Sequence, residues 1–182
     1  MKPCEDRYDV ATSRNASEYY VYGRRAVVDR CHAVFGNLFH HGFEMILKSA
    51  LSRGKTLKEV AAYRHDLPKL WTAFEALYGV PEAMHTKSAQ VIHMFEEFRY
   101  PESTLDHAMD VSIVGMGISA VQFSFGSKRG YGLLINVDQL EDWWLYIHKV
   151  AGYNVLFHES AWPAELKAVY LSERARSQTA GP

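Results

Sequence analysis

The chain has 182 residues, 48% of them hydrophobic and 23% charged, with a formal net charge of −1 that leaves nine histidines uncounted. These values suit one globular domain with a full core and exclude a generically basic nucleic-acid binder, although a local basic patch stays open. No apolar run approaches the roughly 18 residues of a membrane span, the N-terminal MKPCEDRYDV lacks the apolar segment of a secretory signal, and two cysteines are too few for a disulfide framework or a cysteine-rich zinc site. A reducing cytoplasm is therefore expected.

Residues 1–14 are polar and read as a loose arm, with residues 177–182 a polar tail beyond a single domain of 15–176. Asn15 followed three residues later by Glu18 is a helix-start signature, giving a first helix to about Ala33. The stretch GNLFHHGFEMILKSAL (36–51) reads as a second, amphipathic helix. Phe39, Phe43, Ile46, Leu47 and Ala50 form its broad apolar face. Asn37, His41, Glu44 and Lys48 fall in file, because residues three or four apart are neighbours on a helix. An exit near Arg53-Gly54 suits a left-handed glycine cap.

Thr56 with Glu59 is a capping box for a short helix to about Tyr63. Asp66 caps the next helix, where an early Pro68 is tolerated and Leu70, Trp71, Phe74 and Leu77 form the apolar stripe. A fifth helix spans about Glu82 to Phe98, with Met84, Val91, Ile92, Phe95 and Phe98 inward, and Pro101 stops it.

The periodicity then changes from helix to strand over 111–137. Val121, Phe123 and Phe125 alternate with Gln122 and Ser124. Leu133, Ile135 and Val137 alternate with Leu134 and Asn136. Gly126-Ser127-Lys128-Arg129-Gly130 between them is a natural hairpin loop. Gly115, Gly117 and Ala120 match a dinucleotide-binding pattern, but that motif needs a helix immediately afterwards, and VQFSF alternates like a strand. The glycines instead fit a turn or bulge. Helix returns at Asp138, with Glu141 completing a capping signal and Leu140, Trp143, Trp144 and Ile147 as core candidates. A last helix starts near Pro163.

The polar row on the second helix has two readings. In one, Asn37 and His41 hydrogen-bond across the bundle while Glu44 and Lys48 form an exposed i,i+4 pair. In the other, the row lines a site. His40 and Glu44 lie one turn apart beside His41, but zinc generally needs three or four ligands with a suitable second shell, and no spacing selects another. No metal or other cofactor is expected.

GNLFHHGFEMILKSAL, then His65-Asp66-Leu67 leading into a helix with Trp71, then FEEFRYPE at 95–102, resemble in order and spacing the HEPN superfamily of small helical-bundle domains. The resemblance covers roughly residues 16–101. It implies a mainly α fold, an up-and-down helical bundle that here carries a small β-hairpin inserted before the C-terminal helices, and often a homodimer. Members commonly act as metal-independent RNases in toxin–antitoxin and host-defence systems, while others bind nucleotides or protein partners without catalysis. Their nuclease signature is an arginine followed, after four to six intervening residues, by a histidine on a late helix. A histidine moves the proton of a ribose 2′-OH, and an arginine stabilises charge building on the phosphate. This chain departs from it, since Arg99 is followed by Tyr100 and Pro101, and the next histidine is His107.

The expected function is therefore an RNA- or nucleotide-interacting module, non-catalytic or weakly catalytic, in a stress or defence system with an antitoxin-type partner. Arg99 would be the charge partner of a phosphate. Asn37 and His41 would orient the ligand, His65 would contribute a polar contact, and Glu44 and Lys48 would complete the wall. A metal-independent endoribonuclease using Arg99 with His107 or His41 is the alternative. A structural dimerisation and partner-recruitment domain, marked by an apolar patch around Trp143 or Trp144, is the second.

Overall fold

The protein is described by a computed structural model covering residues 5–31, 34–81, 85–97, 109–115, 118–125, 131–154, 162–165 and 167–168. It is mainly α. Helices α1 (Glu5–Val28), α2 (Phe35–Leu51), α3 (Leu57–Ala61), α4 (Leu67–Tyr78) and α5 (Thr86–Glu97) precede strands β1 (Met109–Gly115), β2 (Ile118–Phe125) and β3 (Tyr131–Asn136), and α6 (Val137–Ala151) follows the strands directly. Among the described residues, no helix is long and apolar enough to cross a membrane.

Helix α2 is the centre of the bundle. Twelve of its 17 residues are buried, which leaves a helix packed by neighbours on most of its circumference rather than on one stripe. It packs against α1, α4, α5 and α6. Close approach to α5 depends on Gly36, where an added Cβ would sit 2.1 Å from Phe95 Cδ1. At its other end α2 exits through Ser52 in a right-handed conformation. The expected left-handed cap at Gly54 does not form there. Gly54 lies against the Leu77 side chain, which a Cβ would meet at 2.6 Å.

Residues 5–14 form the first turns of α1, not a loose arm. The polar residues that follow do not interrupt it: Ser17 Oγ donates back to Ser13 O at 3.1 Å, and Arg14 pairs with Glu18 across one turn at 3.6 Å. Asn15 is therefore helix interior, and α1 ends at Val28, ahead of Arg30 in the left-handed region at φ 56°.

Local capping signals elsewhere are used as written. Thr56 and Glu59 make the reciprocal capping box of α3. The Asp66 carboxylate accepts from Lys69 N–H at 3.0 Å to start α4. Leu70, Trp71 and Phe74 of α4 are fully buried, whereas Leu77 is 38% exposed. Ile92 and Phe95 of α5 are buried, and Met84 and Phe98 lie outside the described residues. Asn136, not Asp138, caps α6, its side-chain oxygen accepting from Asp138 N–H and Gln139 N–H.

The strands form a three-stranded sheet in the order β2-β1-β3, not a β2–β3 hairpin. β1 pairs antiparallel with β2, Val111 opposite Phe123, and parallel with β3, Val111 opposite Leu133. Alternation fixes which face of a strand is buried but not which neighbour it takes. β1, with Val111 and Ile113 buried, claims the centre. Its register shifts between Ile113 and Gly115, and Gly115 has a φ of 102°, so this glycine serves a bulge as its sequence context suggests. Leu133, Ile135 and Val137 are buried and Leu134 is exposed, although Val137 already belongs to α6.

One buried apolar cluster draws on all six helices and on β1 and β3. Its middle is aromatic. Phe43 stacks on Trp143 at a centroid distance of 3.9 Å, Trp71 meets Trp143 edge-on at 5.5 Å, and Tyr20 stacks on Trp144 at 4.3 Å. Trp143 and Trp144 are both fully buried, so neither forms the surface patch that a partner-recruitment domain would present. Beside them the Tyr20 hydroxyl donates to Glu141 Oε2 at 2.5 Å, and Arg24 pairs with the same oxygen. Burial, reinforced by the Glu141 charge, holds the Tyr20 hydroxyl well above its ordinary pKa. The residues at 164, 165, 167 and 168 are helical, and Trp162 packs on Val21 of α1.

Two outcomes follow from this packing. Gly36→Ala should lower the free energy of unfolding by about 1–3 kcal/mol, because the Phe95 ring has to leave its rotamer or the helices have to part. A urea midpoint equal to the parent's would contradict the contact. His148, whose Nδ1–H donates to Trp144 O at 2.9 Å, is lowered from its ordinary 6.5 by burial, against the opposing effects of that hydrogen bond and Glu141. Below about pH 6.5 the unfolded chain takes up a proton that the folded chain refuses, so stability is full above that pH and declines as pH falls towards the folded value. Denaturant titrations between about pH 7 and about pH 5 should show this decline, and His148→Gln should make it shallower.

Candidate functional site

The polar row of α2 is gathered around one carboxylate. Glu44 is only 5% exposed. Its Oε1 accepts from Lys48 Nζ at 2.6 Å, one turn further along. His65, in the turn between α3 and α4, brings Nδ1 to 3.0 Å from each oxygen. On α2 itself, His41 Nδ1 stands 3.6 Å and His40 Nδ1 3.8 Å from Oε2. Burial alone would raise the Glu44 carboxyl, but interactions with His41, Lys48 and His65 outweigh it and hold the pKa down at about 2. Glu44 and Lys48 are thus not an exposed i,i+4 pair. They form a partly buried ion pair inside a network, with Lys48 itself 21% exposed at the side chain.

His40 is the second centre. Its side chain is 1% exposed, and its Nε2 lies 3.1 Å from the His65 carbonyl and 3.4 Å from His93 Nδ1 on α5. A carbonyl only accepts, so Nε2 carries the proton and donates. Nδ1 is then turned towards Glu44 and towards Glu96 Oε2 of α5 at 3.6 Å, with no hydrogen-bond partner among the described residues. Burial lowers the ring's pKa to about 4, more than Glu96 and Glu44 raise it, so the imidazole is neutral at pH 7.

A cavity of about 200 Å³ opens beside this network, lined by Val34, Asn37, Leu38, His41 and Glu96. Asn37 Oδ1 is buried without a hydrogen-bond partner among the described residues. His41, with 30% of its side chain exposed, packs edge-on against Tyr19 of α1 at 5.2 Å. Tyr19 and Tyr22 are both exposed on that helix.

Five of the residues singled out in the sequence therefore come together: Asn37, His41, Glu44, Lys48 and His65. Arg99 and His107 lie outside the described residues. Sequence reasoning missed His93, which with Glu96 sits one turn apart on α5, a spacing visible in the sequence but without meaning until α5 is laid against α2. It also missed the Tyr20–Arg24–Glu141 group, for which no local signal exists, because Glu141 meets partners more than a hundred residues away.

Comparison of this chain with protein-family models, with curated proteins and with solved structures gives no match.

Glu44→Gln preserves shape and removes the charge. It should cost about 2 kcal/mol of stability, the scale of hydrogen bonds to a charged group. Lys69→Ala, which breaks the exposed Lys69–Asp66 pair, should leave the urea midpoint unchanged. Equal midpoints for the parent and Glu44→Gln would show that the network does not hold the bundle together.

Proposed function

We propose that the chain is a HEPN-like RNA- or nucleotide-interacting module of the cytoplasm, non-catalytic or weakly catalytic, whose binding site is the α2 wall. Its homodimeric assembly, its place in a stress or toxin–antitoxin defence system and its antitoxin-type partner follow from the resemblance.

The observation that carries this reading is the cavity beside the polar row, lined by Asn37, whose buried side-chain oxygen has no hydrogen-bond partner among the described residues. A buried acceptor without a donor is costly, and a nucleobase N–H or a ribose 2′-OH supplies the missing donor. His41, which lines the cavity, and Tyr19, edge-on to it and exposed, offer rings beside it. Unpaired bases are recognised by stacking on such rings while their edges are hydrogen-bonded. In this reading Arg99 neutralises the phosphate, because the Lys48 charge is already committed to Glu44.

Fluorescence polarisation with labelled mixed-sequence RNA and with nucleotides, in excess chelator, tests the proposal. The parent should bind, and His41→Ala and Arg99→Ala should each weaken binding by about tenfold or more, the scale of one lost stacking or charged contact. No binding by the parent, or full binding by both variants, contradicts the reading. Cleavage of the RNA by the parent but not by Arg99→Ala would establish the endoribonuclease alternative, with His41 or His107 moving the proton.

A further inference from the structure

His40 poses a problem that the RNA reading does not solve. Its proton is fixed on Nε2 by the His65 carbonyl at 3.1 Å, so the Nδ1 lone pair is aimed into the protein. What it meets is two carboxylate oxygens, Glu96 Oε2 at 3.6 Å and Glu44 Oε2 at 3.8 Å. His41 brings Nδ1 to 3.6 Å from that same Glu44 oxygen. The bare His40 nitrogen and the two carboxylate oxygens are all acceptors, and at these distances they repel unless a cation stands among them.

We propose that His40, His41 and Glu44 form a binding site for a divalent transition-metal ion of the zinc type, with Glu96 Oε2 3.6 Å from His40 Nδ1 beside it. The donor atoms of the three residues lie within 4.8 Å of one another. Ligands held tetrahedrally around zinc at about 2.0–2.1 Å stand roughly 3.3 Å apart, so each imidazole closes on the Glu44 oxygen from 3.6 or 3.8 Å by a few tenths of an ångström, and the two imidazole donors, within 4.8 Å of one another, close by rotation about their side-chain bonds.

Three further features fit. The His40 Nε2–H to carbonyl bond is the arrangement that orients a metal-ligating imidazole and fixes its tautomer. Lys48 on Oε1 and His65, 3.0 Å from both oxygens, hold the Glu44 carboxylate in place, with Oε2 turned towards His40 and His41 as well. The donor set is two imidazoles and a carboxylate without thiolate. It suits zinc, cobalt or nickel and disfavours copper(I). Three protein ligands also leave a coordination position open, as in sites where an ion meets water or a ligand rather than in closed structural sites. His41 both belongs to the donor set and lines the cavity of about 200 Å³, which puts the site beside a space large enough to admit one.

This site stands on donor geometry and does not rest on the RNA reading. It departs from the expectation that the chain works without a metal, which came from spacing along the sequence alone.

Cobalt(II) titration of the chelator-treated, desalted protein, without RNA present, tests it. The parent should bind one ion per chain, develop the visible absorption of a four- or five-coordinate nitrogen–oxygen site, and lose it when Zn2+ is added. His41→Ala, a change at a partly exposed position that the fold tolerates, and Glu44→Gln should each weaken binding by at least tenfold, and circular dichroism confirms that each variant is folded. Zn2+ should raise the melting temperature of the parent and not that of His41→Ala. A parent that takes up neither ion at micromolar concentration, or a folded His41→Ala that binds as the parent does, overturns the proposal. The RNA titration is run in chelator and the metal titration without RNA, so the failure of one leaves the other standing.

Discussion

An ionised carboxylate inside the bundle constrains much of this structure. Removing a charge from water costs several kcal/mol unless partners replace the lost hydration. Glu44 is 5% exposed on the helix that packs against α1, α4, α5 and α6. Its partners are therefore not incidental. Lys48 follows one turn later on the same helix, and His65 arrives from the turn that joins α3 to α4. The short helix α3 and the left-handed residue Arg64 (φ 52°) before His65 serve to deliver that imidazole. Glu141 plays a corresponding part elsewhere, joining α6 to α1 through Tyr20 and Arg24. Between the two carboxylates lies the aromatic packing of Phe43, Trp143, Trp144 and Tyr20, which has no tolerance for an unpaired charge beside it.

What was legible in the sequence is what local chemistry decides. The capping box at Thr56 and Glu59, the Asp66 cap with Pro68 behind it, and the buried set Leu140, Trp143, Trp144 and Ile147 all depend on residues within one or two turns. The mistakes share a different cause. Asn15 resembles a helix start, yet a polar residue on an exposed face sits in the interior of α1 without penalty when its neighbours satisfy one another. Asp138 and Glu141 imitate a cap, whereas Asn136 performs the capping and Glu141 answers to a partner on α1. The alternation in 118–125 and 131–137 is real, and still it could not say that β1 would come between those strands, since pairing order is a property of the sheet and not of the strand.

The polar row shows the same limit at the level of function. Its presence was visible from spacing, and its burial was not. A Glu–Lys pair at i,i+4 on an exposed face contributes a few tenths of a kcal/mol, and the same pair closed over by α4 and the His65 turn becomes a fixed electrostatic element. It is this change of environment that gives the neighbouring imidazoles chemical meaning. His40 is neutral because it is buried, its tautomer is set by a carbonyl, and its bare nitrogen faces carboxylates. His41 remains partly exposed at the mouth of the cavity. A site with one buried and one accessible imidazole on a shared carboxylate can bind an ion and present it to something else, or present the imidazole itself.

The central claim is that Glu44 is ionised inside the fold and organises the groups around it. The most direct measurement is an NMR titration of the Glu44 side-chain carboxyl carbon in metal-free protein. The account predicts that Glu44 titrates far below the ordinary 4.5, at about 2. A Glu44 that titrates at or above 4.5 would mean that burial has won over its partners, and that the charged centre on which both the fold and the site depend does not exist.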